Sequence, residues 1–235
     1  RCSIKSRIEK VNMQKWINDD CFNVFPTLET NCAQLIFTSV PDLNDLGMDN
    51  ELEKYESFIQ DALVAFARIV DDSGFIALCQ SDRKMNAQVY SKHTMLIQKM
   101  YDLGYVLKDY KIIVKNSIDN KDMFLFPYQH LCVFTRKGTI TRSGDWMKHI
   151  LLYKVTKSKI GPFYGWNPEF VRLVIGSLTK ENQLVIDPFS GSGIVVKTAR
   201  EMNRQYLGIE IDEILYKEVR MIPESPLSEF YNDSV

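Results

Sequence analysis

The sequence predicts an α/β fold: a mostly parallel sheet with helices on both faces and an antiparallel edge pair. Three observations predict it. Short apolar runs such as "AQLIF" (33 to 37), "GFIALCQ" (74 to 80) and "LVID" (184 to 187) read as strands buried on both faces. Segments with helical spacing of apolar residues alternate with them, the pattern of parallel strands joined by crossover helices. A turn rich in glycine, "DPFSGSG" (187 to 193), joins one such strand directly to the start of a helix.

Each element follows from local chemistry. After "AQLIF" comes the loop "TSVPDLND", then a helix over 51 to 70, where Leu52, Tyr55, Ile59, Leu63, Phe66 and Val70 share one face and acids crowd the first turn. "GFIALCQ" is the second strand, and 86 to 103 reads as a second helix that Gly104 terminates. A third strand is expected within 105 to 114 and a fourth in "HLCVFTR" (130 to 136); the turn-rich "KNSIDNKD" between them suits an antiparallel pair. In "NPEFVRLVIGSL", Asn167 can cap a helix whose first position is Pro168. "LVID", the glycine turn, a helix over about 192 to 202, the strand "YLGIE" (206 to 210) and a short final helix complete the order.

At 235 residues the chain suits one sizeable α/β domain, 1–235, with a basic stretch at 136–160 set into it. Apolar residues at 45% and charged residues at 25% exclude disorder and a collagen-like fibre. The net charge of −1 supplies no whole-protein field toward nucleic acid, so any such contact must be a local patch. The five cysteines, an odd number without CxxC spacing, are expected to be free thiols in a reducing compartment and to bind no metal. No apolar run is long enough to span a bilayer and the first residues lack a secretory stretch, so an intracellular protein is expected: cytoplasmic in a prokaryote, otherwise nuclear or of unknown compartment. Arg1 in place of methionine is expected of a trimmed or partly observed chain.

Three ligand classes compete for the glycine turn. A dinucleotide fingerprint, GxGxxG, needs a third glycine where Val196 stands. A phosphate-binding GxxxxGK[ST] needs glycine at that same position, so Lys197 and Thr198 read as ordinary helix residues. The third class is a cationic nucleoside, for which an acid at the strand end is suited. "DPFSGSG" resembles the S-adenosylmethionine motif of amino-group (N6-adenine or N4-cytosine) DNA methyltransferases, and "REMNRQYLGIEIDE" resembles that family's next strand. The resemblance implies a Rossmann-like S-adenosylmethionine-dependent methyltransferase fold. It also implies that Asp187, Pro188, Phe189, Gly191, Ser192 and Gly193 line the methionine side while Glu210 holds the ribose. The residues agree, since Glu210 ends the next parallel strand and can accept two hydroxyl hydrogen bonds.

The same family carries [DNS]PP[YFW] after another strand; its polar residue and a backbone carbonyl accept hydrogen bonds from the target amine, and its aromatic stacks on the extruded base. Here the equivalent is "TSVPD": Ser39 and Pro41 match, Val40 replaces a proline, and Asp42 stands where the aromatic is expected. Ser39, Pro41 and Asp42 are therefore the catalytic candidates, with a solvated turn carboxylate as the alternative reading of Asp42. Three explanations of the missing aromatic stay open: another ring (Phe37, Tyr128, Phe163, Tyr164 or Trp166), another substrate, or a relative that no longer transfers methyl groups. "NDDCF" resembles the family's opening segment and implies that Asp20 contacts the adenine. The substrate loop precedes the cofactor turn, the beta-class order, in which "GWNPEF" makes Trp166 and Asn167 second-rank cofactor candidates.

Between 136 and 159, basic residues interleave with aromatics against a single acid, which suits a phosphate backbone with stacked bases; Arg136, Lys137, Arg142, Trp146 and Lys148 are the candidate contacts. The leading expectation is methyl transfer to an exocyclic amine, in DNA before RNA. The alternatives are an inactive methyltransferase-like subunit that binds a partner chain or nucleic acid, and a nucleotide-dependent oxidoreductase, which Val196 disfavours. A homodimer or a second methyltransferase-like subunit is an expected partner.

Overall fold

A computed structural model describes residues 13–48, 51–85, 88–115, 128–136, 150–153, 156–157 and 164–220. Its chain order is β1 (Gln14–Asn18), α1 (Cys21–Val24), β2 (Ala33–Thr38), α2 (Leu52–Ile69), β3 (Val70–Gln80), β4 (Arg83–Met85), β5 (Gln88–Tyr90), α3 (Lys92–Asp102), β6 (Tyr105–Lys115), β7 (Tyr128–Arg136), β8 (Ile150–Tyr153), β9 (Thr156–Lys157), β10 (Tyr164–Gly165), α4 (Pro168–Leu178), β11 (Leu184–Asp187), α5 (Ile194–Glu201), β12 (Gln205–Glu210) and α6 (Glu213–Arg220).

One eight-stranded sheet, in the order β1-β12-β11-β2-β3-β7-β6-β8, carries the fold. Within it only β7 runs against the rest, forming the expected antiparallel pair with β6. β8 adds a parallel strand beyond that pair, in a segment whose basic residues hide its strand character in the sequence. The absence of polar alternation is explained by helices on both faces. Ile36 packs with α2 and α3 on one side, while its neighbours Leu35 and Phe37 pack with α4 and α5 on the other.

Helix α2 shows why the spacing matters: Tyr55, Ile59, Leu63 and Phe66 recur at three- and four-residue steps and are 0% exposed. Each such burial contributes about 1.5–3 kcal/mol, so Leu63→Ala would cost about 2–5 kcal/mol. Arg68, in its last turn, donates to the carbonyls of Leu28 and Phe25 and so pins the β1–β2 connection to the same helix.

One expected element differs. The predicted helix over 86 to 103 is α3, beginning only at Lys92, because Arg83–Met85 and Gln88–Tyr90 pair as a small hairpin that takes the backbone bonds. The strand β1 is an addition that the sequence does not announce: its apolar residues are too few, and it is specified by pairing with Tyr206 to Glu210 of β12. Among the described residues no helix is long and apolar enough to cross a membrane.

Candidate active site

From β2 the chain passes through α2 to β3 on one side, and from β11 through α5 to β12 on the other. The β2–β11 boundary is thus the point where the direction of winding reverses, and a crevice opens there beyond the strand ends. Asp187, the last residue of β11, is buried at this point and accepts hydrogen bonds from Thr38 Oγ1 (2.7 Å), at the end of β2, and from the Phe189 N–H (3.3 Å). Burial pushes its carboxyl up to about 7, against the opposing pull of those two donors; Glu210 adds a smaller upward push.

Gly191 and Gly193 both have positive φ, 47° and 69°, which a glycine adopts freely. The second is doubly required, because a Cβ there would enter the ring of Trp16. Trp16 donates from its indole to Ser190 Oγ at 2.8 Å and also lies against Gly208 of β12. Val196 faces that same glycine, so the small residue that lets helix and strand approach sits on the strand at Gly208, not at the helix position where the dinucleotide and phosphate motifs put it. Lys197 lies over the Trp16 ring, its centroid 5.8 Å away, and burial lowers its ammonium to about 8. The sequence does not single out Trp16; its signal is only that two glycines lie on segments that must pass something large.

A cavity of about 820 Å³ opens at the strand ends. Its walls bring together Asp20, Pro188, Phe189 and Glu210 with Ser39, Pro41 and Asp42. Asp187, Gly191, Ser192 and Gly193 are not wall residues, although Pro188 and Phe189 between them are. Glu210 accepts from the backbone N–H of Gly191 (2.6 Å) and of Asp212 (2.9 Å), which locks the strand end to the glycine turn. Asp20 caps α1 by accepting from the Phe22 N–H at 2.9 Å. The neighbouring Cys21 thiol, pushed up to about 12 by burial and then by the Asp20 charge, is a neutral wall group and no nucleophile.

The "TSVPD" loop is held from several directions. Val40 is buried at 2% exposure, the Tyr55 hydroxyl donates to the Pro41 carbonyl (3.0 Å), and Asp42 pairs with the buried Lys92 and with Arg83 (3.6 Å). A carboxylate shared by two cations has the geometry of a clamp between the loop and α3. Ser39 Oγ donates to Gln80 Oε1 at 2.6 Å, and Gln80 Nε2 donates to the Val40 carbonyl at 2.7 Å. Gln80, 3% exposed at the end of β3, is a site residue that the sequence does not single out.

Other candidates lie elsewhere. Trp166 stacks on Phe37 at 4.9 Å in the α4 layer, Asn167 caps α4 by accepting from the Glu169 N–H at 2.8 Å, and neither reaches the cavity wall. Phe37, 0% exposed beneath Trp166, has no free face for a base. Arg136 ends β7 at the opposite rim, about 20 Å along the strand from His130, where it is engaged by the Ala67 carbonyl, Asp72 and the Tyr105 ring. Lys137, Arg142, Trp146, Lys148 and Phe163 lie outside the described residues, as does the side chain of Tyr164. Beside the cavity, Asp82 bonds His93 Nδ1 (2.8 Å), and the His93 and His130 rings stack 3.8 Å apart. The ligand atoms of Asp82, His93 and His130 all lie within 4.8 Å of one another, a grouping that the sequence does not single out.

Residues 165–220, which hold α4, the glycine turn and β12, match the sequence profile of the DNA methylase family. That stretch is similar to the DNA methylase family. Among curated relatives, Type II methyltransferase M.HindIII of Haemophilus influenzae is 36% identical over 135 residues, 57% of this chain and 40% of that protein. The chain thus spans about 40% of that methyltransferase's length. In fold, TTHA0409 from Thermus thermophilus, crystallised with S-adenosyl-L-methionine, superposes with a TM-score of 0.73 over 91% of this chain and 96% of its own, at 15% identity. The cytosine-N4-specific PvuII DNA methyltransferase gives 0.75 over 92% and 89%, at 12% identity. The sheet described above therefore has the Rossmann-like fold of these structures.

Proposed function

We propose that this chain binds S-adenosyl-L-methionine and transfers its methyl group to an exocyclic amine of a nucleic-acid base, N6 of adenine or N4 of cytosine, in DNA in preference to RNA. One observation carries the reading: a single cavity is bounded by Pro188 and Phe189 just beyond β11, by Glu210 at the end of β12 and by the loop whose Ser39 and Val40 oxygens face Gln80. Its volume of about 820 Å³ lies within the range of small-molecule sites, and Glu210, Asp20 and Phe189 supply an acceptor pair and an aromatic surface suited to an adenosine. Glu210 would hold the ribose, Phe189 and Pro188 the apolar part, and Asp187 would complement a cation from below.

When bound, the sulfonium supplies the methyl group and leaves as a thioether. The chain's own part is positional. The Val40 carbonyl accepts a hydrogen bond from the amine and aims its lone pair, while Ser39 Oγ donates to the ring nitrogen beside it and fixes the base edge; as the amine becomes positive its bond to Val40 strengthens, which lowers the barrier. The extra proton on the methylated nitrogen leaves to solvent through the open cavity, since Asp42 is already ion-paired.

Asp42, standing where a stacking ring is expected and clamped by Lys92 and Arg83, favours a second reading: a non-catalytic subunit that keeps the pocket and works beside a partner chain. Tritium-labelled S-adenosyl-L-methionine with mixed DNA and RNA separates the two. Label entering polymer supports the enzyme; cofactor binding by calorimetry without any label transfer supports the subunit.

A further inference from the structure

Gln80 reaches from β3 into the loop after β2 and satisfies both of the oxygens discussed above, accepting from Ser39 Oγ at 2.6 Å and donating to the Val40 carbonyl at 2.7 Å. Its carboxamide orientation is set by chemistry: reversed, Oε1 would face the Val40 carbonyl, acceptor against acceptor. The group so held is a planar carbon bearing one acceptor and one NH₂. The Watson–Crick edges of adenine and cytosine present that same pair, a ring nitrogen acceptor beside an exocyclic NH₂. Gln80 is also a cavity wall residue, so the two bonds it makes lie where an incoming base edge would arrive.

We infer that Gln80 is a built-in placeholder for the target base: its carboxamide occupies the Ser39–Val40 recognition pair and must swing aside for an adenine or cytosine edge to enter. This rests on the proposed function and extends it to the recognition step. Ser39 and the Val40 carbonyl then exchange one amide for one amidine, so each has a partner in both states. Base affinity is reduced by the fraction of molecules in which Gln80 holds the pair. Gln80 is a specificity and positioning residue, not a catalytic one.

The test uses the whole chain with Gln80→Ala and, in case that variant packs poorly, Gln80→Leu, which roughly keeps the bulk but can neither accept from Ser39 nor donate to Val40. Binding of ten-nucleotide dA, dC and abasic strands is measured by fluorescence anisotropy, and S-adenosyl-L-methionine binding by calorimetry on the same samples. Both variants are expected to bind dA and dC roughly tenfold tighter than the parent, with the abasic strand, which has phosphates but no base edge, unchanged. Adding Ser39→Ala to Gln80→Ala is expected to cancel the gain. Unchanged or weaker binding of dA and dC, or an equal gain on the abasic strand, overturns the placeholder even if the parent binds cofactor. Failure of the parent to bind cofactor overturns the proposed function, whichever way the strands behave.

Discussion

Thr38 and Asp187, 149 residues apart in sequence, share a 2.7 Å hydrogen bond that closes the β2–β11 boundary where the winding reverses. Replacing Thr38 by valine keeps the shape and removes the donor. The buried carboxyl then depends on the Phe189 N–H alone, and the expected loss is about 1–3 kcal/mol in a urea unfolding series.

The raised pKa of Asp187 sets a pH window. Its ordinary value is 3.8 and its folded value about 7, so between those limits the folded state keeps a proton that the unfolded state has released. Stability from this group is fully present below about pH 4, falls as pH rises toward 7, and is level above; the total reaches about 4 kcal/mol. Asp187→Asn is expected to flatten that part of the stability profile. By the same logic a cationic ligand beside this carboxyl binds more tightly as pH rises through 7 and expels a proton below it, which calorimetry in buffers of different ionisation enthalpy reads directly.

Glu210→Gln separates scaffold from ligand contact. One amide oxygen can still accept from Gly191 or Asp212, so folding should survive, whereas the charged acceptor for two hydroxyls is lost. The expected effect is about 1.5–3 kcal/mol, roughly ten- to hundredfold in S-adenosyl-L-methionine affinity by calorimetry.

Gly193→Ala should be costly for two separable reasons. Positive φ strains any residue with a Cβ by about 1–2 kcal/mol, and collision with Trp16 adds about 1–3 kcal/mol more. Trp16→Leu in the same chain should recover the second part but not the first, measured as a double-mutant cycle of thermal unfolding.

The Asp42–Lys92 pair should respond asymmetrically. Lys92 is 1% exposed and its ammonium is lowered by burial, with Asp42 opposing that shift, so Asp42→Asn strands a buried cation at a cost of about 3 kcal/mol. That cost should shrink at alkaline pH as the amine, lowered by burial, goes neutral. Lys92→Met removes the buried charge itself and leaves the half-exposed Asp42 to Arg83 and water, so its effect should stay under about 1 kcal/mol.

Most of the sheet was legible because its strands are buried on both faces, and burial on both faces leaves unbroken apolar runs. β1 and β8 were not, since an edge strand needs little apolar surface and is specified by a partner far along the chain. In the site, the glycine turn announced itself through residues that only a special backbone requires. Gln80 and Trp16 did not: their roles depend on what stands across from them, Val40 and Ser39 for one, Gly193 and Gly208 for the other, and no spacing along the sequence encodes that.

The strand order carries a consequence for synthesis. β1 and β2 are consecutive strands of the chain, yet they are separated in the finished sheet by β11 and β12, which follow every other strand of that sheet. Until those two are made, β1 has no strand to pair with and β2 leaves one backbone edge unpaired, so both present open edges. Those edges are a hazard for self-association during translation. They also mean that a chain cut between β10 and β11 could be completed by supplying its missing portion as a separate peptide.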